Sequence, residues 1–210
     1  NDYYACFVIE DSMTKPKVKT DIQLTGIDLG IKDLVITSHG QKYGNNKYLK
    51  QKLRQLKKAQ KVLSRRSLKK QTIQVIHETE NGHFTREEKN IFSNRREKAR
   101  LQVAKLHRDV VNCRNDYLHK ISRKLVNDND GLAFESLNIR GMVRNRRLSQ
   151  SIMDCGWGKL VNYCEYKSRR AGKVCIKIGT FFASSKKCSV CSHEYHGLTL
   201  DERVWQCENC

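Results

Sequence analysis

Residues 21–37, DIQLTGIDLGIKDLVIT, decide how the chain folds. Two apolar runs flank Gly30, so Asp21–Leu29 reads as a strand and Leu34–Thr37 as a second one. Gly40 marks a tight turn towards a short polar strand near Lys42 and Tyr43, which opens a meander. On the N-terminal side, Tyr3–Ile9 alternates like a strand and is joined through a basic connector holding the only proline, Pro16. Past the leading Asp21, the first run is interrupted by one acid, Asp28. A carboxylate at the end of an apolar strand is costly unless it ligates something, although a turn or capping residue also fits that place.

The same pattern returns 107 residues later. In Leu132-Ala133-Phe134-Glu135-Ser136-Leu137-Asn138 a short apolar strand is again interrupted by one acid, Glu135. If the two strands are neighbours in one sheet, Asp28 and Glu135 meet and invite a divalent cation. Hard Mg2+ prefers carboxylate oxygens and water, and nucleases place two such ions about 3.5–4 Å apart.

Helical patterns separate the two acids. From Lys47 to Lys70, Leu49, Leu53, Leu56 and Leu63 recur at helical spacing among eleven Lys or Arg residues and no acid. Thr72–Phe92 loses that regularity, contains Gly82, and reads as a loop or weak helical insertion. Ser93 can cap a long amphipathic helix over Asn94–Val126, ended by Asn127–Gly131. Beyond Glu135, Arg144–Arg147 is a basic loop, Leu148–Ala171 a helix closed by Gly172, and Lys173–Ile178 a strand. Strands followed by alternating helices and strands predict an α/β layer architecture with a mixed sheet, an order that an RNase H-like core fits.

The 210 residues carry 41 Lys and Arg against 22 Asp and Glu, a formal net charge of +19. That excess favours a polyanionic partner, and nucleic acid is expected. No apolar run reaches the ~18 residues of a membrane span. The start of the chain lacks the basic and apolar regions of a secretion signal. Nine cysteines without an export signal point to reduced thiols and an intracellular place, cytoplasmic or nucleoid-associated. Cys6, Cys113, Cys155, Cys164 and Cys175 are scattered through strand-like or helix-like segments and read as small core residues.

The other four cysteines form two CxxC pairs, Cys188-Ser-Val-Cys191 and Cys207-Glu-Asn-Cys210, with fifteen residues between them. This spacing predicts a closed, structural site of four thiolates on one Zn2+, a zinc ribbon whose hairpin includes Tyr195 and Trp205. His193 and His196 lie in the same loop and can in principle replace a ligand. Exposed, unligated histidines are the expectation.

Four segments together resemble the TnpB family, the OrfB proteins of insertion sequences. TGIDLGIKDLVITSHG resembles the first RuvC motif and LAFESLNIRGM the second. KLHRDVVNCRNDYLHKISRKLV precedes the second, and CGWGKLVNYCEYKSRRAGK leads into the ribbon KKCSVC…WQCENC. The resemblance implies an RNA-guided, Mg2+-dependent DNA endonuclease with an RNase H-like (RuvC) fold, binding DNA and guide RNA. It implies that Asp28 and Glu135 are the first two catalytic carboxylates and that Cys188, Cys191, Cys207 and Cys210 hold structural Zn2+. On this reading residues 1–20 end a preceding guide-RNA-binding β domain. Residues 21–183 form the RuvC-like core with a helical insertion at about 47–127, and residues 184–210 form the ribbon. The family's third catalytic Asp lies in a segment after the ribbon, so the 210 residues are expected to cleave poorly alone. Asp154, Glu165 and Asp201 do not occupy its place.

Lys57, Lys58, Arg65, Arg66, Arg144, Arg146 and Arg147 are the expected nucleic-acid contacts, although a solvated basic face fits each of them individually. The rival classes are a non-catalytic zinc-ribbon nucleic-acid-binding protein and, less suited to so basic a surface, a zinc-ribbon adaptor for protein partners.

Overall fold

A computed structural model of the chain describes residues 5–8, 21–66, 71–78, 84–91, 93–179, 186–188, 190–197, 199, 202 and 204–210, with backbone alone over 71–78 and 84–91. The elements are β1 (Leu24–Asp28), β2 (Asp33–Thr37), β3 (Lys42–Gly44), α1 (Tyr48–Arg65), β4 (Gln71–Glu78), β5 (Phe84–Ile91), α2 (Asn94–Asp128), β6 (Gly131–Glu135), α3 (Ile139–Met142), α4 (Ser149–Cys155), α5 (Trp157–Arg170) and β7 (Val174–Ile178). Five strands form a mixed sheet in the order β3-β2-β1-β6-β7. β1, β2 and β3 make the antiparallel meander, while β6 runs parallel to β1 and β7 parallel to β6.

One face of this sheet is covered by helices. Ile27, Leu132 and Phe134 point to that face and are buried with Leu118, Leu125 and Val126 of α2 and Leu160 and Cys164 of α5. Phe134 and Leu160 have no exposed surface, so each contributes the full transfer free energy of its side chain. The alternate residues, Gly26 and Asp28 on β1 and Ala133 and Glu135 on β6, point to the opposite face, because side chains alternate along a strand.

Long-range polar contacts finish the helix ends. Ser93 accepts from the backbone N–H of Arg96 and caps α2, as the sequence predicts. At its other end α2 has no basic residue in the last turn, and Lys173 supplies the cation instead. Its Nζ donates to the carbonyls of Val126, Asn127 and Asn129 at 2.6, 3.2 and 2.8 Å. The first residue of α1 is preceded by Lys47, which makes no side-chain cap. The carboxylate of Asp154 on α4 accepts from the N–H of Leu49 at 3.1 Å and pairs with Arg114 at 3.5 Å. A residue 105 positions away thus caps α1, and Asp154 is buried in doing so.

Four expectations are corrected. Thr72–Phe92 is no loop or helical insertion: β4 and β5 pair antiparallel from Gln71↔Ile91 to Glu78↔Phe84. The β-branched Thr72, Ile73, Val75 and Ile76 favour extended backbone, and the polar partner FTREEKNI hides the signal in the pattern. Second, the helix expected over Leu148–Ala171 is two helices meeting at Gly156, whose φ of 67° is open chiefly to glycine. A Cβ there would also lie 3.1 Å from Leu118 Cδ1, so the corner rests directly on α2. Third, Cys155 and Cys164 are buried and Cys175 partly so, but Cys6 and Cys113 are exposed and are not core residues. Fourth, α1 stops at Arg65 instead of reaching Lys70. The strand expected over Tyr3–Ile9 is not found in its described part, since residues 5–8 carry no regular structure; Tyr3, Tyr4 and Ile9 lie outside the described residues.

Candidate metal centres and basic surfaces

The register of β1 on β6 runs Leu24↔Gly131 to Ile27↔Phe134, so the next residues, Asp28 and Glu135, close their strands side by side. They share a face of the sheet, carboxyl beside carboxyl. Burial raises the Glu135 carboxyl first, the hydrogen bond and the negative charge of Asp28 raise it further, and the Leu29 N–H opposes them. The result is a Glu135 carboxyl pushed up to about 7. Gly30 permits the sharp exit from β1, since a Cβ there would stand 2.6 Å from the carbonyl oxygen of Asp33. A groove of about 380 Å3 on the uncovered face of the sheet is lined by both acids, Gly26, Ser38 and Ile178.

A close pair of carboxyls, that of Glu135 raised in proton affinity and that of Asp28 solvent-exposed, is a donor set of the type hard divalent cations take. Among the described residues no third acid joins the two. Asp154 is occupied as the cap of α1, and Glu165 pairs with Lys177 at 2.6 Å on the helix-covered face. Asp201 lies outside the described residues.

The second centre is the cysteine cluster. The ligand atoms of Cys188, Cys191, Cys207 and Cys210 all lie within 4.8 Å of one another. Two sulfur pairs, Cys188–Cys210 and Cys191–Cys207, are 3.5 and 3.6 Å apart. Those separations are close to the edges of a tetrahedron with metal–sulfur bonds of about 2.3 Å. Each knuckle turns an N–H onto sulfur, Val190 to Cys188 and Asn209 to Cys207, both at 3.4 Å. Backbone N–H groups lower the Cys188 thiol and bring Cys191 down to about 6, whereas hydrogen bonds to its neighbours push Cys210 up to about 12. Four crowded sulfurs can all ionise only around a cation, and the cluster can hold a metal such as zinc. Lys187 and Glu194 bridge below it, and Tyr195 stacks on Trp205 with centroids 5.3 Å apart. His193 and His196 are exposed and stand outside the cluster.

The expected nucleic-acid contacts are distributed over two surfaces. Lys57, Lys58, Arg65 and Arg66 are exposed on or just beyond α1, where Arg66 also donates to the carbonyl of Arg95 at 3.1 Å. Arg144, Arg146 and Arg147 are exposed between α3 and α4. Sequence reasoning missed the roles of Asp154 and Lys173 as caps, because nothing local marks a cap supplied from another element.

The described residues thus combine a mixed α/β sheet presenting paired acids, basic helices and a four-cysteine cluster that could hold a metal. Comparison with known families narrows this. The profile of the "Probable transposase" family OrfB_IS605 matches residues 6–146, and that of the "Cas12f1-like, TNB domain" matches residues 157–210. The chain belongs to the OrfB family of TnpB-like transposases. A Streptomyces pristinaespiralis protein named "Putative RNA-guided DNA endonuclease" is 31% identical over 206 residues, covering 98% of this chain and 45% of that protein. InsQ of Escherichia coli, given the same description, is 23% identical over 221 residues, 98% of this chain and 49% of InsQ. The chain therefore spans about half the length of these curated relatives.

Proposed function

We propose that the chain is the nuclease part, RNase H-like (RuvC) in fold, of an RNA-guided, Mg2+-dependent DNA endonuclease that hydrolyses phosphodiesters. The observation that carries this reading is the placement of Asp28 and Glu135 at the ends of neighbouring parallel strands, on one face of the sheet. The order of the sheet, a meander followed by two parallel strands, supports the fold assignment. Residues 21–183 are the core, the hairpin of α1 and α2 with β4 and β5 its insertion, 184–210 the zinc ribbon, and 1–20 the end of a guide-RNA-binding domain.

Asp28 and Glu135 would hold the divalent cations in the groove they line. Metal bound there supplies an activated water and neutralises charge on the leaving oxygen. Two carboxylates leave such a site short of ligands, so a further carboxylate completes it. The cysteines hold Zn2+ as a structural ion, with no open position for chemistry. Guide-RNA pairing reads sequence, while Lys57, Lys58, Arg65, Arg66, Arg144, Arg146 and Arg147 hold backbones without reading bases.

Calorimetric titration with Mn2+ tests the pair. Binding by the unmodified chain, lost in both Asp28→Ala and Glu135→Ala, is expected. Equal binding by all three proteins sinks the nuclease reading in favour of a non-catalytic nucleic-acid-binding module. A cleavage assay on single-stranded DNA in Mg2+ is expected to show weak or no cutting by these 210 residues. Strong cutting that Asp28→Ala abolishes overturns the need for a further carboxylate.

A further inference from the structure

The last turns of α2 and α5 enclose a groove that neither metal centre uses. Two adjoining depressions of about 440 and 510 Å3 share Arg123, Asn127, Tyr166 and Lys167 in their walls. Volumes of roughly 300–1,000 Å3 are those of ligand-sized sites. Lys120, Lys124 and Arg170 add positive charge along the rim, against the single acid Asp128.

The groove has a braced aromatic floor. His119 stacks on Tyr163 with centroids 3.9 Å apart and planes 13° apart, and Tyr166 meets Tyr163 edge-on at 6.1 Å. Lys167 locks this arrangement from behind. Its Nζ donates to the His119 carbonyl and to Ser122 Oγ, both at 2.7 Å, and lies 5.9 Å from both tyrosine ring centres. Tyr166 nevertheless keeps 43% of its surface exposed, so a rigid ring is offered to solvent at low entropic cost. Beside it, Arg123 is exposed and has no acidic partner within ion-pair distance among the described residues. Burial and the charge of Arg123 both push the Lys167 ammonium down, which marks cations crowded without an anion between them.

We propose that this groove binds a single-stranded segment of nucleic acid, with phosphates against Arg123 and Lys167 and an unstacked base on the face of Tyr166. Successive aromatic faces and a cationic wall form the general means by which proteins hold single strands, since a base must leave its duplex to stack on a side chain. The groove lies at the far end of the sheet from the acid pair. α2 ends just before β6 begins and α5 just before β7, whereas Asp28 and Glu135 close the other ends of β1 and β6. Strands of five residues separate the two places by roughly 15 Å. The segment held here is therefore distinct from the phosphodiester presented to the acids. This inference rests on the nucleic-acid partner of the proposed function, but not on cleavage.

The test is fluorescence anisotropy with labelled twelve-nucleotide oligo(U) and oligo(dT), competed by unlabelled duplex, in the absence of divalent metal. Arg123→Glu is expected to weaken binding fivefold or more and to lower the salt dependence by about one phosphate contact. Tyr166→Ala is expected to weaken it fivefold or more, while Tyr166→Phe, which keeps the ring, stays within twofold. Thermal melts of each variant confirm that the fold persists. Preference between the two oligonucleotides identifies the strand as RNA or DNA. Binding by the unmodified chain that stays within twofold in both Arg123→Glu and Tyr166→Ala, or that duplex competes away equally well, overturns the groove but leaves the metal titration untouched. Absence of any binding overturns the groove as well, and the Mn2+ titration then judges the nuclease reading on its own.

Discussion

Asp28 and Glu135 stand together because two strands 107 residues apart share a register, whereas Cys188, Cys191, Cys207 and Cys210 converge within one short C-terminal stretch. The first pair inherits its geometry from a packed sheet: it is as stable as β1 and β6 and the helices that bury their other face. The cysteine cluster has little core of its own. Among its described residues Val190 and Val204 are 82% and 90% exposed, so the ordering of that region is expected to depend on an ion that its thiolates can gather. One centre is placed by the packed sheet, and the other is expected to take its order from an ion.

That contrast can be broken most forcefully by removing metal. Zinc binding at four-thiolate sites contributes on the order of 10 kcal/mol to folding. Chelation is therefore expected to abolish amide protection over 186–210 while β1 and β6 keep theirs, as read by hydrogen exchange. Simultaneous loss in both regions would show that the ribbon and sheet fold as one unit. The converse is Phe134→Ala, which empties the sheet's buried face and is expected to cost about 3–5 kcal/mol in a denaturant titration. Zinc content should not change in that variant.

Smaller perturbations sharpen the same comparison. Asp154→Ala removes the cap of α1 and leaves Arg114 without its partner; a loss of about 2 kcal/mol is expected, with fraying at Leu49 seen by exchange. Neither metal centre should respond. Glu135 makes the subtlest prediction. Its carboxyl is raised from an ordinary 4.5 to about 7, so between those values the folded chain binds more protons than the unfolded one, and stability falls as pH rises through that window. Glu135→Gln is accordingly expected to melt above the unmodified chain at pH 8, with the difference gone by pH 4. Divalent cation competes with the same proton, so its affinity should drop by up to tenfold per pH unit below about 7. A flat profile from pH 5 to 8 would show that Glu135 is not a ligand.

Local pattern made the meander, the long helices and both CxxC pairs legible, and it isolated the two acids as the charged residues interrupting apolar strands. It failed where the signal was carried by another part of the chain. The strand Phe84–Ile91 is too polar to announce itself and is seen only with its partner Gln71–Glu78. The break at Gly156 depends on the close approach of Leu118. Asp154 and Lys173 cap helices to which they are not attached, and the groove around Tyr166 draws its two walls from helices separated by β6, α3 and α4.

From sequence alone come the chain's strong positive charge, the grouping of the four C-terminal cysteines and the candidacy of Asp28 and Glu135, because charge, spacing and periodicity are properties of neighbours along the chain. Only the tertiary structure decided that the two acids share a face, that a cationic groove with an aromatic floor lies at the opposite end of the sheet, and which buried polar groups are structural. Those outcomes depend on strand register and helix packing, and both are settled by burying apolar surface between segments far apart in sequence.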